Sequence, residues 1–199
     1  MSMYGRNLEM IKKNNIAAES VPIRLIISIA IIATITIMIS IGFRNLNIIS
    51  DENQVEVECK TLESKLYTMI CSGIARDIDE INAVNGTKRS NTFNLPDSLI
   101  YLSFGVDPDQ DNKGEIKTGL TEDGTVIFYR VGGGSKHVIW FGDEFRFREG
   151  IYINNKWIIN SNGQGYIITS GGKTTLTFEL IQKNHETYIL IHATDTTNQ

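Results

Sequence analysis

The chain has 199 residues, with 19 Lys and Arg against 23 Asp and Glu, a formal charge of −4 near neutrality. That acidic balance argues against a nucleic-acid partner and against binding to anionic lipid heads, both of which need clustered basic residues. The length leaves room for one compact domain after an N-terminal segment and hardly for two.

In chain order, the first feature is a short segment, residues 1–20, whose flank carries Arg6, Lys12, Lys13 and Arg24 against Glu9 and Glu19. The run "LIISIAIIATITIMISIGF" at 25–43 follows without a charge. At about 1.5 Å per residue it makes a helix of roughly 28 Å, close to the hydrocarbon thickness of a bilayer. A transmembrane helix is therefore expected over 21–46, with Ser20 as N-cap and Pro22 in the first turn. The run is too long for the apolar core of a cleaved secretory signal and ends without a small-residue cleavage site. The basic flank predicts a cytoplasmic N-terminus and an exported remainder, a single-pass protein of the cell membrane whose first partner is the lipid bilayer.

Over 50–82 the apolar residues Val55, Cys59, Leu62, Leu66, Met69, Ile70, Ile74 and Ile78 recur at steps of three and four, which predicts an amphipathic helix. Ser50, Asp51 and Asn53 are expected to interrupt the first helix and recap the second. Cys59 and Cys71 lie twelve positions apart on that helix, too far for a disulfide, so both are expected as free thiols.

"INAVNGTKRSN" at 81–91 is a polar connection that holds an N-glycosylation acceptor at Asn85. From Thr92 the apolar period changes to two. "FRFRE" sets Phe145 and Phe147 opposite Arg146 and Arg148, and "TTLTFEL" sets Leu176, Phe178 and Leu180 opposite Thr175, Thr177 and Glu179. Further strands are expected at 99–104, 126–131, 137–141, 151–153, 157–159, 166–169 and 188–193. The clusters "GGGS", "NN", "SNGQG", "SGG" and "KNHE" between them read as turns, and short links join antiparallel neighbours. The fold class is α+β: a transmembrane helix, an amphipathic helix, then an antiparallel β-rich domain over 92–195, a meander or sandwich-like sheet.

No enzyme motif is present. His137, His185 and His192 show no metal-ligand spacing, no G-x-S-x-G elbow occurs, and "GGGSKH" lacks the ending of a phosphate loop. The acidic stretch "VDPDQDNKGEI" offers Asp107, Asp109, Asp111 and Glu115 as a weak Ca²⁺ candidate, the one cofactor the chain suggests. Alternating carboxylates in a tight loop converge on such an ion in EF-hands, although here Asn112 and Thr118 stand where that loop has Gly and Glu. Arg130, Lys136, Arg146 and Arg148 could gather on one sheet face toward an anionic partner or sugar.

The segment "MIKKNNIAAESVPIRLIISIAIIATITIMISIGF", with Lys12 and Lys13 before the apolar run and Glu19 near its start, resembles type IV pilin-like proteins. Together with "LPDSLIYLSFGVDPD" and "VIFYRVGGGSKHVIWF" it is similar to the uncharacterised exported pilin-like proteins of archaea. The resemblance implies a surface or assembly protein without enzymatic activity, its helix packing with copies of itself or with other pilin-like subunits. In pilins a membrane peptidase removes the leader after a Gly; here Ala18 stands near that position and Arg24 enters the run. A processed subunit and a permanently anchored accessory protein both stay open. The alternative is a membrane-tethered domain that recognises a sugar, ion or protein ligand outside the cell.

Overall fold

The computed structural model describes residues 4–80, 83–118, 124–142, 144–153, 156–160, 162 and 164–193, with side chains from residue 22 onward. One helix, α1 (Tyr4–Ser72), is followed by strands, so the architecture is α+β, and the chain divides into two units, Met1–Asn47 and Ile48–Gln199.

In the first unit, helix α1 is long and apolar enough to cross a membrane, and none of its most apolar window is buried. Ile32, Met38 and Phe43 each keep more than 60 % of their surface open. The four hydroxyl side chains in the apolar run all donate to a carbonyl one turn back: Ser28 to Arg24, Thr34 to Ala30, Thr36 to Ile32 and Ser40 to Thr36, at 2.8–2.9 Å. Pro22 lies inside α1, because the helix begins upstream at Tyr4 and not with a cap at Ser20. The helix forgoes one amide hydrogen bond there.

The second unit begins with the remainder of α1, which is not interrupted at 50–53. Asp51 does not cap a new helix; its carboxylate accepts the Ser98 hydroxyl at 2.6 Å. Val55, Cys59, Leu62, Leu66 and Met69 form a fully buried stripe, as the spacing predicts. Helix α1 stops earlier than the period of Ile74 and Ile78 suggests. Gly73 is the reason: a side chain there would place its Cβ 2.2 Å from the Met69 carbonyl oxygen, and its N–H closes the last turn. Ile74 is left outside the helix and exposed.

The strands are β1 (Arg76–Asp77), β2 (Lys88–Leu95), β3 (Leu99–Phe104), β4 (Val126–Val131), β5 (Lys136–Trp140), β6 (Arg146–Ile153), β7 (Lys156–Ile159), β8 (Tyr166–Ile168), β9 (Gly172–Lys183) and β10 (Glu186–Ala193). One sheet runs β5–β4–β3–β8, all antiparallel. The other runs β1–β9–β10–β6–β7, with β2 also on β9. This second sheet is mixed, which corrects the all-antiparallel expectation: β6 pairs with β10 in parallel, and β1 with β9. Short links constrain only consecutive strands, and these pairs are separated by long crossovers. Strand β2 also starts four residues before Thr92, inside the stretch read as a polar connection.

Two turns keep their expected chemistry. "GGGS" closes the β4–β5 hairpin. In the β9–β10 turn Asn184 and His185 both hold positive φ, 50° and 67°, the pair of left-handed residues that a tight two-residue hairpin requires.

The buried stripe of α1 packs with the inward faces of both sheets. Phe104 lies within 6.1 Å of the rings of Phe93, Phe147 and Phe178, and Phe141, Phe145 and Phe147 form a second edge-to-face trio. Such pairs add roughly 0.5–1.5 kcal/mol each beyond the area they bury.

Candidate functional site

Residues directly opposite in an antiparallel pair share a face, and this rule separates the two sides of β9. Leu176, Phe178 and Leu180 join the core with Ile189 and Ile191 of β10. Thr177 and Glu179 lie on the other face with Lys88 and Ser90 of β2 and with Leu190 and His192 of β10. The sequence period makes this second face the wet one. Glu179 is nevertheless only 1 % exposed and His192 7 %.

The cover is the β6–β7 hairpin. Gly150 stands where β6 leaves its pairing with β10 and takes up β7, and it fits closely there, since a Cβ would meet Leu190 Cγ at 2.9 Å. The hairpin then lays the indole of Trp157 on the imidazole of His192, with centroids 3.9 Å apart and planes within 10°. Tyr152 tilts against the same indole at 5.2 Å. From the opposite side Arg76 of β1 donates through Nε to Glu179 Oε1 at 2.8 Å and through Nη2 to the Trp157 carbonyl at 2.7 Å.

These groups enclose a cleft of about 250 Å³. It is lined by Arg76, Asn85, Lys88, Tyr152, Lys156, Trp157 and Glu179. Glu179 Oε2 has no hydrogen-bond partner among the described residues, and Lys88 Nζ, at 3.9 Å, is too distant to supply one. Burial pushes the His192 pKa down to about 4, against the opposing pull of Glu179 and with the help of Lys88, so the ring under Trp157 is neutral near pH 7. Glu179 is the single carboxylate lining the cleft among the described residues. The paired carboxylates of acid–base hydrolysis are therefore not laid out there.

The loop of Asp107, Asp109, Asp111 and Glu115 takes a different form from the calcium reading. Lys136 Nζ occupies the position a cation would take, donating to Asp107 Oδ2 at 2.7 Å and to the Asp109 carbonyl at 2.6 Å. Asp109, fully buried, accepts Arg130 Nη1 at 3.1 Å and the Gly114 N–H at 3.0 Å. Asp111 faces Lys113 and Lys117 at the surface, which hold its carboxyl below the usual range against the opposing effect of desolvation. Glu115 is exposed, and no group of three metal-ligating residues converges among the described residues.

The four basic residues do not gather on one face. Arg130 and Lys136 serve the aspartate loop on the β3–β4–β5 side, whereas Arg146 pairs with Glu186 at 2.8 Å and Arg148 lies over the Tyr188 ring. Cys59 is buried, its thiol raised to about 12 by desolvation, and Cys71 is exposed; neither is in a disulfide. His137 stacks on Tyr129 with its Nε2 3.0 Å from Glu52 Oε1, and this contact together with the Ser135 N–H lowers the Glu52 pKa.

Asn85 is exposed at the cleft rim, while the rest of its acceptor triplet is built into the fold. Gly86 approaches the Leu180 carbonyl so closely that a Cβ would lie 2.1 Å from it. The Thr87 hydroxyl accepts the Ile74 N–H at 2.8 Å. Sequence reasoning missed Arg76 and the burial of Glu179. The nearest signal is the pair of aromatics in "IYINNKW", which marks a hairpin able to cover a polar face. No protein-family model, curated protein or solved structure matches the chain.

Proposed function

We propose that this protein is a single-pass, non-enzymatic membrane protein of the pilin-like kind, with its N-terminus in the cytoplasm and its β-rich domain outside the cell. The exposed apolar surface of the run carries the reading. The apolar run of α1 exposes Ile, Leu, Met and Phe side chains along its length, yet closes every one of its hydroxyl groups onto its own backbone. The exposed apolar surface is costly in water and favourable in hydrocarbon. The hydroxyl bonds are compatible with lipid but not particular to it, since Thr61, Thr68 and Ser72 beyond the run make the same bond. The basic residues before the run support the orientation.

The test is fractionation of native membranes followed by intact-mass and N-terminal analysis. Recovery in the carbonate-resistant membrane fraction is expected, and recovery in the soluble fraction overturns the reading. A mature N-terminus between Asn14 and Val21 supports a processed, pilin-type packing helix. An intact N-terminus assigns the helix to permanent anchoring and removes the pilin-like part of the proposal.

A further inference from the structure

In the acceptor triplet Asn85-Gly86-Thr87 the fold accounts for two residues and leaves the third without a structural task. Gly86 has no room for a side chain, since a Cβ would lie 2.1 Å from the Leu180 carbonyl oxygen and 3.1 Å from the Arg76 nitrogen. Thr87 is bound three times over: its hydroxyl accepts the Ile74 N–H at 2.8 Å, its own N–H donates to the Ile74 carbonyl at 2.8 Å, and its carbonyl accepts the Leu180 N–H at 2.9 Å. Asn85 is exposed, and its side chain has no hydrogen-bond partner among the described residues. Val84 beside it keeps 79 % of its surface open. An amide in that position has space for a bulky, solvated substituent, and no contact of the fold is lost when it carries one.

We propose that Asn85 carries an N-linked glycan, attached to the exported chain before β9 closes against the triplet. The inference rests on the exported orientation of the β-rich domain. The donor is an oligosaccharide on a polyprenyl phosphate carrier. The Asn85 amide nitrogen forms a bond to the anomeric carbon, and the bond from that carbon to the phosphate oxygen breaks. The lipid phosphate leaves with the electron pair, and the amide gives up one proton to the transferring enzyme.

The order of events follows from the same contacts. The third position of an acceptor admits only Ser or Thr, so the group read there is the hydroxyl. In the folded chain that hydroxyl is turned to the Ile74 N–H and the backbone around it is fixed to Leu180, which closes the triplet to an enzyme. This closure needs β9, which is made late: Glu179 follows Arg76 by 103 positions. At about 5–20 residues per second of synthesis, the triplet stays open for roughly 5–20 s. Once the domain has closed, the glycan stands at the rim of the cleft that Asn85 shares with Lys88 and Tyr152.

The test starts from the full chain in its native membranes. Trypsin cuts after Arg76 and Lys88 and releases residues 77–88 with the acceptor inside. Mass spectrometry is expected to find this peptide with sugar masses on Asn85, and to find it bare in Asn85→Gln, a variant that folds like the parent. Protease added to intact cells separates the two ways of failing. A bare parent peptide from a domain that the protease cuts overturns the glycan alone. A bare parent peptide from a protected domain overturns the exported orientation together with it.

The timing is tested with an oligosaccharyltransferase and its lipid-linked donor, offered either the synthetic 77–88 peptide or the folded full chain purified without sugar from a host that lacks the pathway. The peptide is modified at Asn85 and the folded chain is not. Equal rates for the two, or failure of the peptide, overturns attachment before closure.

Discussion

Arg76 and Glu179, 103 positions apart in the chain, meet in a buried ion pair with Nε 2.8 Å from Oε1. The contact ties the segment after the helix to the centre of the mixed sheet, and its second arm reaches the carbonyl of Trp157 in the covering hairpin. Three pieces of chain with no local reason to associate are thereby joined at one guanidinium. Replacing Arg76 by Ala strands a carboxylate that is 1 % exposed, and the expected loss is about 3–5 kcal/mol. Thermal unfolding followed by near-ultraviolet circular dichroism checks this. A variant that melts with the parent would show that the pair contributes nothing.

His192 makes the unfolding transition pH-dependent. Its folded pKa is about 4, below the ordinary 6.5, because burial under Trp157 disfavours the charged ring. Between those values the unfolded chain binds a proton that the folded chain does not, so stability rises with pH through this window. The contribution is fully present above about pH 6.5 and is lost as pH falls toward 4. Glu179, which opposes the shift, and Lys88, which adds to it, are the charges facing the ring. His192→Phe keeps an aromatic under the indole and removes the titration. Its melting temperature is expected to vary less between pH 4 and 6.5 than that of the parent, and parallel curves would count against the assignment.

The aspartate loop is predicted to be indifferent to calcium. Lys136 and Arg130 already hold Asp107 and Asp109, and a divalent ion would have to displace an ammonium group in contact with two loop oxygens. Adding calcium chloride or a chelator leaves the melting temperature unchanged, whereas a clear rise with calcium would restore a metal site. Asp109→Asn weakens a charged, buried hydrogen-bond set and is expected to cost about 1–3 kcal/mol by the same assay.

Much of the local structure was legible in the chain. Steps of three and four in 55–69 identify the buried stripe of α1, and alternation identifies the core face of β9, because side-chain direction in helix and strand follows from backbone geometry alone, while β3 and β4 stand out as short apolar runs. The apolar run announces itself by length and the absence of charge. Periodicity assigns Glu179 and Phe178 to opposite faces, but it cannot say what lies above each face.

That decision belongs to the tertiary structure. The β6–β7 hairpin covers the outer face of β9, so a residue patterned for solvent becomes a buried partner of Arg76. The parallel pairings of β1 with β9 and of β6 with β10 arise in the same way, between segments that no short link joins. Likewise the aspartates share a loop in sequence, but Lys136 arrives from β5 and takes the place of a metal. Local pattern determines which way a side chain points, and the long-range packing of the chain determines what it meets there.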